Sequence, residues 1–203
     1  MKIYLAADHA GFELKEAIRS FLEMEKDELR KEMEKSLEFL IPEIEIVDFG
    51  AYKFEVGDDY PKYISAVAGK MSGEIYLGEK NNFAIIFGGS GEGEAMVADK
   101  YQGLRVGVLN SESLEIVKLL REHNDANVLS VGARFVSEDF VKKAVRKFLT
   151  TKFISQEKGL ESRHARRVRE ITDLEEKIKS KASLEELKAL QELEKLRKQV
   201  IDN

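Results

Sequence analysis

One stretch of the sequence decides the fold, namely Phe83-Ala84-Ile85-Ile86-Phe87-Gly88-Gly89-Ser90-Gly91-Glu92-Gly93-Glu94. A short apolar run that is stopped by glycine is typical of a buried strand. Four glycines within six positions then predict a loop whose backbone N–H groups converge on an anion, next to the start of a helix. The glycine spacing matches neither the dinucleotide-binding fingerprint nor the P-loop. We predict a strand, an oxyanion- or phosphate-binding loop and a helix; the plainer alternative is an ordinary tight turn.

The rest of the chain repeats this alternation of strand and helix. Predicted strands cover residues 2–7, 44–49, 83–87, 104–109 and 128–132. Predicted helices cover residues 12 to about 40, 61–76, 94–100, 113–122 and 138–149. Strands that alternate with helices form βαβ units, in which the strands are parallel and helices cover both faces of the sheet. The sequence therefore predicts an α/β fold with a Rossmann-like, doubly wound sheet of five parallel strands.

Two segments exceed a minimal fold of this kind. Residues 23–35 are nearly all charged or methionine, which predicts that the first helix continues outward as a solvated rod. Residues 161–203 are rich in Lys and Glu with leucines at helical spacing, so we predict a helical extension after an α/β domain of residues 1–160. Ser183-Leu184-Glu185-Glu186 resembles a capping box, which predicts a turn near Ser180. The apolar stripe suits an antiparallel helical pair on its own subunit and an oligomerisation arm equally well.

The composition argues against several functions. The 203 residues carry a net charge of -5 with a pI near 5.5, whereas a nucleic-acid-binding surface is normally basic. The chain has no cysteine, which excludes disulfides and thiolate metal sites. No apolar stretch is long enough to span a bilayer, and no signal-peptide pattern opens the chain. We expect a soluble cytoplasmic protein that binds neither nucleic acid nor membrane.

Glu94 is the candidate catalytic base. At the start of a predicted helix it could serve only as a favourable first-turn acid. Beside an anion-binding loop, however, a carboxylate can abstract a proton next to a carbonyl while backbone donors hold the enediolate oxygen that forms. Glu92 competes for this role, but it sits between glycines inside the loop and adds a negative charge there. Its side chain is therefore expected to point to solvent.

All three histidines lie in short polar motifs. Asp8-His9 follows the first strand at its carboxyl end, the edge of an open parallel sheet where ligands bind, although Asp8 alternatively caps a helix. His123-Asn124 ends a predicted helix and is alternatively a polar stop. Arg163 and Arg167 flank His164 at helical spacing, which suits a phosphate, although an ordinary basic face is the plainer interpretation. No spacing of histidines and carboxylates matches a standard metal site, so we predict no metal.

Together these motifs resemble the family of ribose-5-phosphate isomerase B and the galactose-6-phosphate isomerase subunits. The matching segments follow the family's order and are Ala7-Asp8-His9-Ala10-Gly11-Phe12-x-Leu14-Lys15, Asp59-Tyr60-Pro61, Gly88 to Glu94 with Ala98-Asp99-Lys100, Gly103-x-Arg105, His123 to Leu129, Gly132-Ala133-Arg134 and Arg163-His164-x-x-Arg167. The resemblance implies an enzyme that interconverts aldose and ketose phosphates through an enediolate, without a metal or other cofactor. It also implies a homodimer or homotetramer whose active sites are shared between subunits.

The resemblance further implies a role for each site residue. Glu94 shuttles the proton between C1 and C2, His123 protonates the ring oxygen to open the furanose, and Ser90 lies in the loop that holds the enediolate. The other residues implied to bind the sugar or its phosphate are Asp8, His9, Tyr60, Gly89, Gly91, Glu92, Gly93, Asn124, Arg134, Arg163, His164 and Arg167. Many family members carry a cysteine as the base at the position of Gly88. This chain is instead similar to the branch that uses a glutamate after the loop.

The resemblance leaves the substrate open. Interconversion of ribose 5-phosphate and ribulose 5-phosphate is the leading hypothesis. A hexose 6-phosphate of the galactose or allose type is the nearest alternative, because one extra carbon changes only the depth of a pocket. A non-catalytic phosphosugar-binding module that signals through the helical extension is a third hypothesis. A pure binder, however, gains nothing from a carboxylate beside an anion.

Overall fold

The computed structural model describes residues 1–157 and 160–201, with side chains through residue 181 and at residue 185. The chain forms two compact units, Met1–Ala165 and Arg166–Asn203. The first unit contains a five-stranded parallel sheet with the strand order β2-β1-β3-β5-β4. Its strands are β1 (Lys2–Ala7), β2 (Glu45–Asp48), β3 (Phe83–Gly88), β4 (Val106–Leu109) and β5 (Val128–Gly132). The predicted fold class and the five predicted strands are confirmed.

Helices separate these strands at the predicted places. They are α1 (Phe12–Leu37), α2 (Tyr60–Tyr76), α3 (Glu92–Ala98), α4 (Leu114–Asn124) and α5 (Glu138–Thr150), and α6 (Arg163–Ile201) follows them. The sequence did not predict the short antiparallel pair β6 (Gln156–Glu157) and β7 (Leu160–Glu161), because two-residue strands have no measurable periodicity. No helix in the described part of the chain is long and apolar enough to cross a membrane.

The core lies on both faces of the sheet. Successive side chains of a strand point to opposite faces, so Ile3 and Leu5 of β1 join one apolar cluster, whereas Tyr4 and Ala6 join the other. The first cluster also takes in residues of α1, α4 and α5, and the second takes in residues of α2 and α3. Because both faces are covered, the strands are apolar on both sides, which explains their short continuous apolar runs.

The extension of α1 is buried along one side, so the prediction of a solvated rod is wrong. Leu29 and Met33 are 1% and 0% exposed and belong to the core cluster that also contains residues of α5. Arg146 of α5 forms ion pairs with Glu25 at 2.9 Å and Glu32 at 2.8 Å. The few apolar residues of this segment recur on one helical face, and that narrow stripe is enough to dock the helix despite its many charges.

The C-terminal extension begins with one continuous helix, α6, so the predicted turn near Ser180 is wrong and an antiparallel pair is excluded. The Ser180 hydroxyl donates to the backbone oxygen of Glu176 at 2.9 Å, a bond within a regular helix. The chain has neither glycine nor proline after Gly159, and an internal serine alone does not end a helix. The oligomerisation arm stays a prediction, because most of its apolar stripe lies outside the described side chains, namely Leu184, Leu187, Leu190, Leu193, Leu196 and Val200.

The strand order brings three loops to one edge of the sheet. β1, β3 and β5 are neighbours, with Ala7 opposite Phe87 and Gly88 opposite Gly132. The loops that follow these strands therefore meet at the carboxyl edge, where ligands bind in open parallel sheets.

Candidate active site

The glycine-rich loop after β3 is fixed by the chain that follows β5. Gly88 and Gly89 accept hydrogen bonds through their backbone oxygens from the backbone N–H groups of Ala133 at 2.8 Å and Arg134 at 3.2 Å. Gly91 has a φ of +78°, and a Cβ atom there would lie 3.0 Å from the backbone nitrogen of Gly132. Only glycine combines this backbone conformation with so close an approach. The loop is therefore held rigidly at the edge of the sheet.

Glu94 lies in the first turn of α3, and its side chain folds back toward the end of β3. A Cβ atom built on Gly88 would lie 1.8 Å from Oε1 of Glu94, so the glutamate carboxylate occupies the space that a side chain at position 88 would need. Glu94 is 3% exposed. Burial raises the pKa of this carboxyl above its ordinary value, and the nearby Asp8 carboxylate raises it further. A buried carboxylate of this kind is suited to proton abstraction.

A cavity of about 410 Å³ opens beside this carboxylate. Its lining residues come from the loops after β1, β3 and β5 and from the start of α2, and they are Asp8, His9, Ala10, Tyr60, Gly89, Ser90, Gly93, Glu94, Arg134 and Phe135. Eight of these ten were predicted as site residues from the sequence. The volume of the cavity, and the few charged and hydrogen-bonding side chains in its lining, suit a small ligand with polar groups.

Two of these lining residues, Tyr60 and Arg134, pack closely against glycines of the loop. A Cβ atom on Gly93 would lie 2.8 Å from the Tyr60 ring, and one on Gly89 would lie 3.0 Å from the Arg134 guanidinium carbon. The glycines thus let an aromatic ring and a cation approach the loop backbone. Glu92 differs from its neighbours, because its carboxylate is exposed and accepts a hydrogen bond from the Asn110 amide at 2.9 Å. It is not among the residues that line the cavity, and its role in binding stays a prediction.

Asp8 and His9 lie directly after β1. Oδ1 of Asp8 accepts hydrogen bonds from the backbone N–H groups of Ala10 at 2.9 Å and Gly11 at 3.3 Å, so it stabilises the turn that leads into α1. The His9 ring nitrogen Nδ1 lies 2.9 Å from Oδ1 of Asp58. Sequence reasoning missed Asp58. Two aspartates precede α2, and nothing in the local sequence indicates that Asp58 is buried against His9 whereas Asp59 faces solvent.

The described side chains contain one group with the spacing of metal ligands. It consists of Asp8, His9 and Asp58, whose possible ligand atoms lie within 4.8 Å of one another. Each member is engaged in hydrogen bonds, however. Asp8 binds backbone N–H groups, and Nδ1 of His9 faces Asp58. This donor set is arranged as a hydrogen-bonded cluster, and we assign no metal to it.

A second cluster, which does not line this cavity, contains His123, Arg163 and His164. The rings of His123 and His164 stack with their centroids 3.9 Å apart and only 5° between their planes. Nε of Arg163 donates to Nε2 of His164 at 3.4 Å, and Asn124 is the exposed last residue of α4. Arg167 belongs to the second unit, and its role stays a prediction. Within one chain, the predicted site is therefore divided in two.

A family model described as Ribose/Galactose Isomerase matches residues 3–171 of this chain. The chain belongs to this family. Ribose-5-phosphate isomerase B of Mycolicibacterium paratuberculosis is 31% identical over 168 residues, which cover 83% of this chain and 87% of that relative. A putative sugar phosphate isomerase of Bacillus subtilis is 31% identical over 178 residues, which cover 87% of this chain and 99% of that relative.

Solved structures of the family share the fold. Ribose-5-phosphate isomerase B from Mycoplasma genitalium, with bound ribulose-5-phosphate, has a TM-score of 0.67 at 30% identity and covers 86% of this chain and 96% of its own. Ribose 5-phosphate isomerase from Thermotoga maritima has a TM-score of 0.63 at 32% identity. The match covers 85% of this chain and 97% of the Thermotoga chain. The predicted family is thus confirmed.

Membership of the ribose/galactose isomerase family gives the contact between Gly88 and Glu94 a further meaning. The family resemblance implies a cysteine base in many members at the position that Gly88 occupies here. In this chain the Glu94 carboxylate fills that space, so a side chain at position 88 and a glutamate base in this position exclude each other. The absence of cysteine from the chain fits this arrangement.

Proposed function

We propose that this member of the ribose/galactose isomerase family interconverts ribose 5-phosphate and ribulose 5-phosphate, with Glu94 as the base. The observation that carries the proposal is the buried Glu94 carboxylate, which lies against Gly88 at the wall of the cavity. The relatives named ribose-5-phosphate isomerase B support a five-carbon substrate. A hexose 6-phosphate remains the alternative substrate.

The proposed reaction uses Glu94 twice. Glu94 removes the proton from C2 of the open-chain aldose, the C–H electron pair forms the C1=C2 double bond, and the carbonyl electron pair moves to O1. The loop residues Gly89 and Ser90, which line the cavity, hold the enediolate oxygen. Glu94 then returns the proton to C1 while the O2 proton is transferred to O1, which gives the ketose. No step requires a cofactor.

The second cluster supports a shared active site. Ring opening and phosphate binding need polar groups such as those of His123, Asn124, Arg163 and His164. None of these four residues lines the cavity that contains Glu94. In a two-fold symmetric dimer the same patch of each subunit forms the interface, so that a residue i of one subunit faces residue j of the partner and residue j faces residue i. We therefore infer that this cluster completes the cavity of a second copy of the chain, in which His123 opens the sugar ring.

The test is isomerisation of ribose 5-phosphate by the purified protein in the presence of EDTA, with Glu94→Gln beside the wild type. We expect Glu94→Gln to lose roughly 10²- to 10⁴-fold in kcat, the usual contribution of a general base. Glu92→Gln is the matched control, because this neighbouring glutamate is exposed and outside the cavity. Near-normal turnover by Glu94→Gln would remove Glu94 from the mechanism.

A panel of pentose and hexose phosphates addresses the substrate. Turnover of hexose phosphates alone would overturn the pentose assignment while leaving the isomerase mechanism in place. Binding of several phosphosugars without turnover of any would favour the binding module.

A further inference from the structure

Asp58 is a buried carboxylate that the reaction above leaves unused. It lies between β2 and α2, at the end of a turn in which its backbone N–H donates to the Glu55 oxygen at 3.2 Å. Gly57, within this turn, has a φ of +83°, the left-handed conformation that favours glycine. The Asp58 side chain is 1% exposed. Burial of a carboxylate costs free energy unless the carboxylate accepts hydrogen bonds. The groups that donate to Asp58 therefore indicate what it does in the structure.

Oδ1 of Asp58 contacts His9 in two ways, whereas Oδ2 is buried without a hydrogen bond among the described residues. Oδ1 of Asp58 accepts a hydrogen bond from the backbone N–H of His9 at 2.7 Å and lies 2.9 Å from the ring nitrogen Nδ1. A carboxylate can only accept hydrogen bonds, so Nδ1 must carry the proton. Nε2 is the ring nitrogen left for the cavity that His9 lines, since no hydrogen bond among the described residues involves it.

We propose that Asp58 is a positioning residue of the isomerase, which clamps His9 by its backbone and its ring so that Nε2 faces the substrate. With the proton on Nδ1, Nε2 accepts a hydrogen bond in the neutral ring and donates one in the protonated ring. The proposal deepens the proposed function and rests on it. Asp58 itself does not touch the substrate. It fixes the rotamer of His9 and the nitrogen that bears the proton, as carboxylates do for catalytic histidines on other folds.

The charges around His9 favour its protonated form. The hydrogen bond to Asp58 raises the pKa of the His9 ring above its ordinary value, and the Asp8 carboxylate, 3.8 Å from Nδ1, raises it further. The other titratable side chains that line the cavity are Tyr60, Glu94 and Arg134. A protonated ring donates from both nitrogens, to Asp58 at Nδ1 and to an anionic substrate oxygen at Nε2. Activity should therefore decline on the alkaline side as His9 loses its proton.

The first test observes His9 directly and needs no turnover. Nitrogen-detected NMR titration resolves the rings of a protein with three histidines, and the His9 signals are assigned by their loss in His9→Gln. We expect wild-type His9 to keep its Nδ1 proton throughout and to titrate at higher pH than in Asp58→Asn. An Nε2–H tautomer in the neutral wild-type ring, or an unchanged titration in Asp58→Asn, would overturn the proposal.

The second test compares Asp58→Asn with Glu55→Gln, an exposed carboxylate of the same turn, by the pH profile of kcat/KM for ribose 5-phosphate. We expect Asp58→Asn to lose at least about 10-fold at neutral pH, the usual cost of removing a carboxylate that orients a functional histidine. Its alkaline limb should also move to lower pH, whereas Glu55→Gln should match the wild type. A lower rate with an unmoved alkaline limb would reduce Asp58 to a purely structural role and contradict the proposal.

The two tests separate the failure of this inference from that of the proposed function. If the wild type turned over no ribose 5-phosphate, the proposed function would fail, and the NMR titration would still decide whether Asp58 controls His9. If the wild type were active and the titration unchanged in Asp58→Asn, only the positioning role would fail.

Discussion

At the scale of single residues, two buried glutamates have opposite environments. Glu74 is 4% exposed and accepts hydrogen bonds from Lys2, Tyr4 and Asn82. Burial by itself raises the pKa of Glu74, but these partners, first of all Lys2, outweigh it and lower the pKa to about 2. Among the described residues no cation forms an ion pair with Glu94, and burial raises its pKa. The fold stabilises the charge of the structural glutamate and destabilises that of the proposed base.

The raised pKa of Glu94 predicts a stability cost. The folded state binds the Glu94 proton more tightly than the unfolded chain does, so the free energy of unfolding falls as pH rises through the interval between the two pKa values. Above that interval the charged carboxylate destabilises the native state. Glu94→Gln cannot ionise, so we expect its Tm to exceed that of the wild type by a few degrees at neutral pH, measured by calorimetry.

This advantage of Glu94→Gln should disappear below the ordinary pKa of glutamate, where the wild-type side chain is also neutral. Glu92→Gln serves again as the control, because its exposed carboxylate should give no such gain. A glutamine variant at position 94 that is less stable than the wild type at neutral pH would contradict the argument.

At the scale of elements, α1 shows how few residues dock a helix. Met33 is 0% exposed in the core cluster shared with α5, whereas Met24 of the same helix is 78% exposed. Met33→Ala should cost about 2–5 kcal/mol in the free energy of unfolding, because it leaves a cavity as well as removing apolar contact. Met24→Ala should change it by less than about 0.5 kcal/mol. Denaturant unfolding measures both, and equal effects would mean that the extension is not packed.

The elements themselves were largely predictable from local sequence. The five strands are short apolar runs ended by glycine or charge, and this pattern needs no knowledge of distant residues. The two errors have different origins. The many charges around Leu29 and Met33 predict an exposed helix, although these two residues alone are enough to dock it. The cap-like motif at Ser183 predicts a new helix, but neither glycine nor proline ends the preceding one.

At the scale of the whole molecule, the divided site predicts complementation between subunits. Glu94→Gln and His123→Ala should each be nearly inactive. Unfolded together, mixed in equal amounts and refolded, they should regain about one quarter of wild-type activity, because half of the random dimers are mixed and each mixed dimer has one intact site. The measurement is ribose 5-phosphate isomerisation before and after mixing.

The control for complementation is a refolded mixture of Glu94→Gln with Asp8→Asn, two residues that line the same cavity within one chain. In a mixed dimer one cavity then carries Gln in place of Glu94 and the other carries Asn in place of Asp8, so no cavity is intact and no activity should return. No return of activity for Glu94→Gln with His123→Ala, or an equal return for both pairs, would contradict the shared site.

The α/β class, the strand–loop–helix unit and the choice of Glu94 as the base all follow from local sequence, because hydrophobic periodicity, glycine spacing and a carboxylate after the loop are local patterns. Only the tertiary structure decided that Glu94 fills the space at Gly88, that Asp58 is buried against His9, and that His123 and His164 stack away from the cavity. These contacts join residues that are up to 49 positions apart. They depend on strand order and on the packing of whole elements, which no short stretch of sequence encodes.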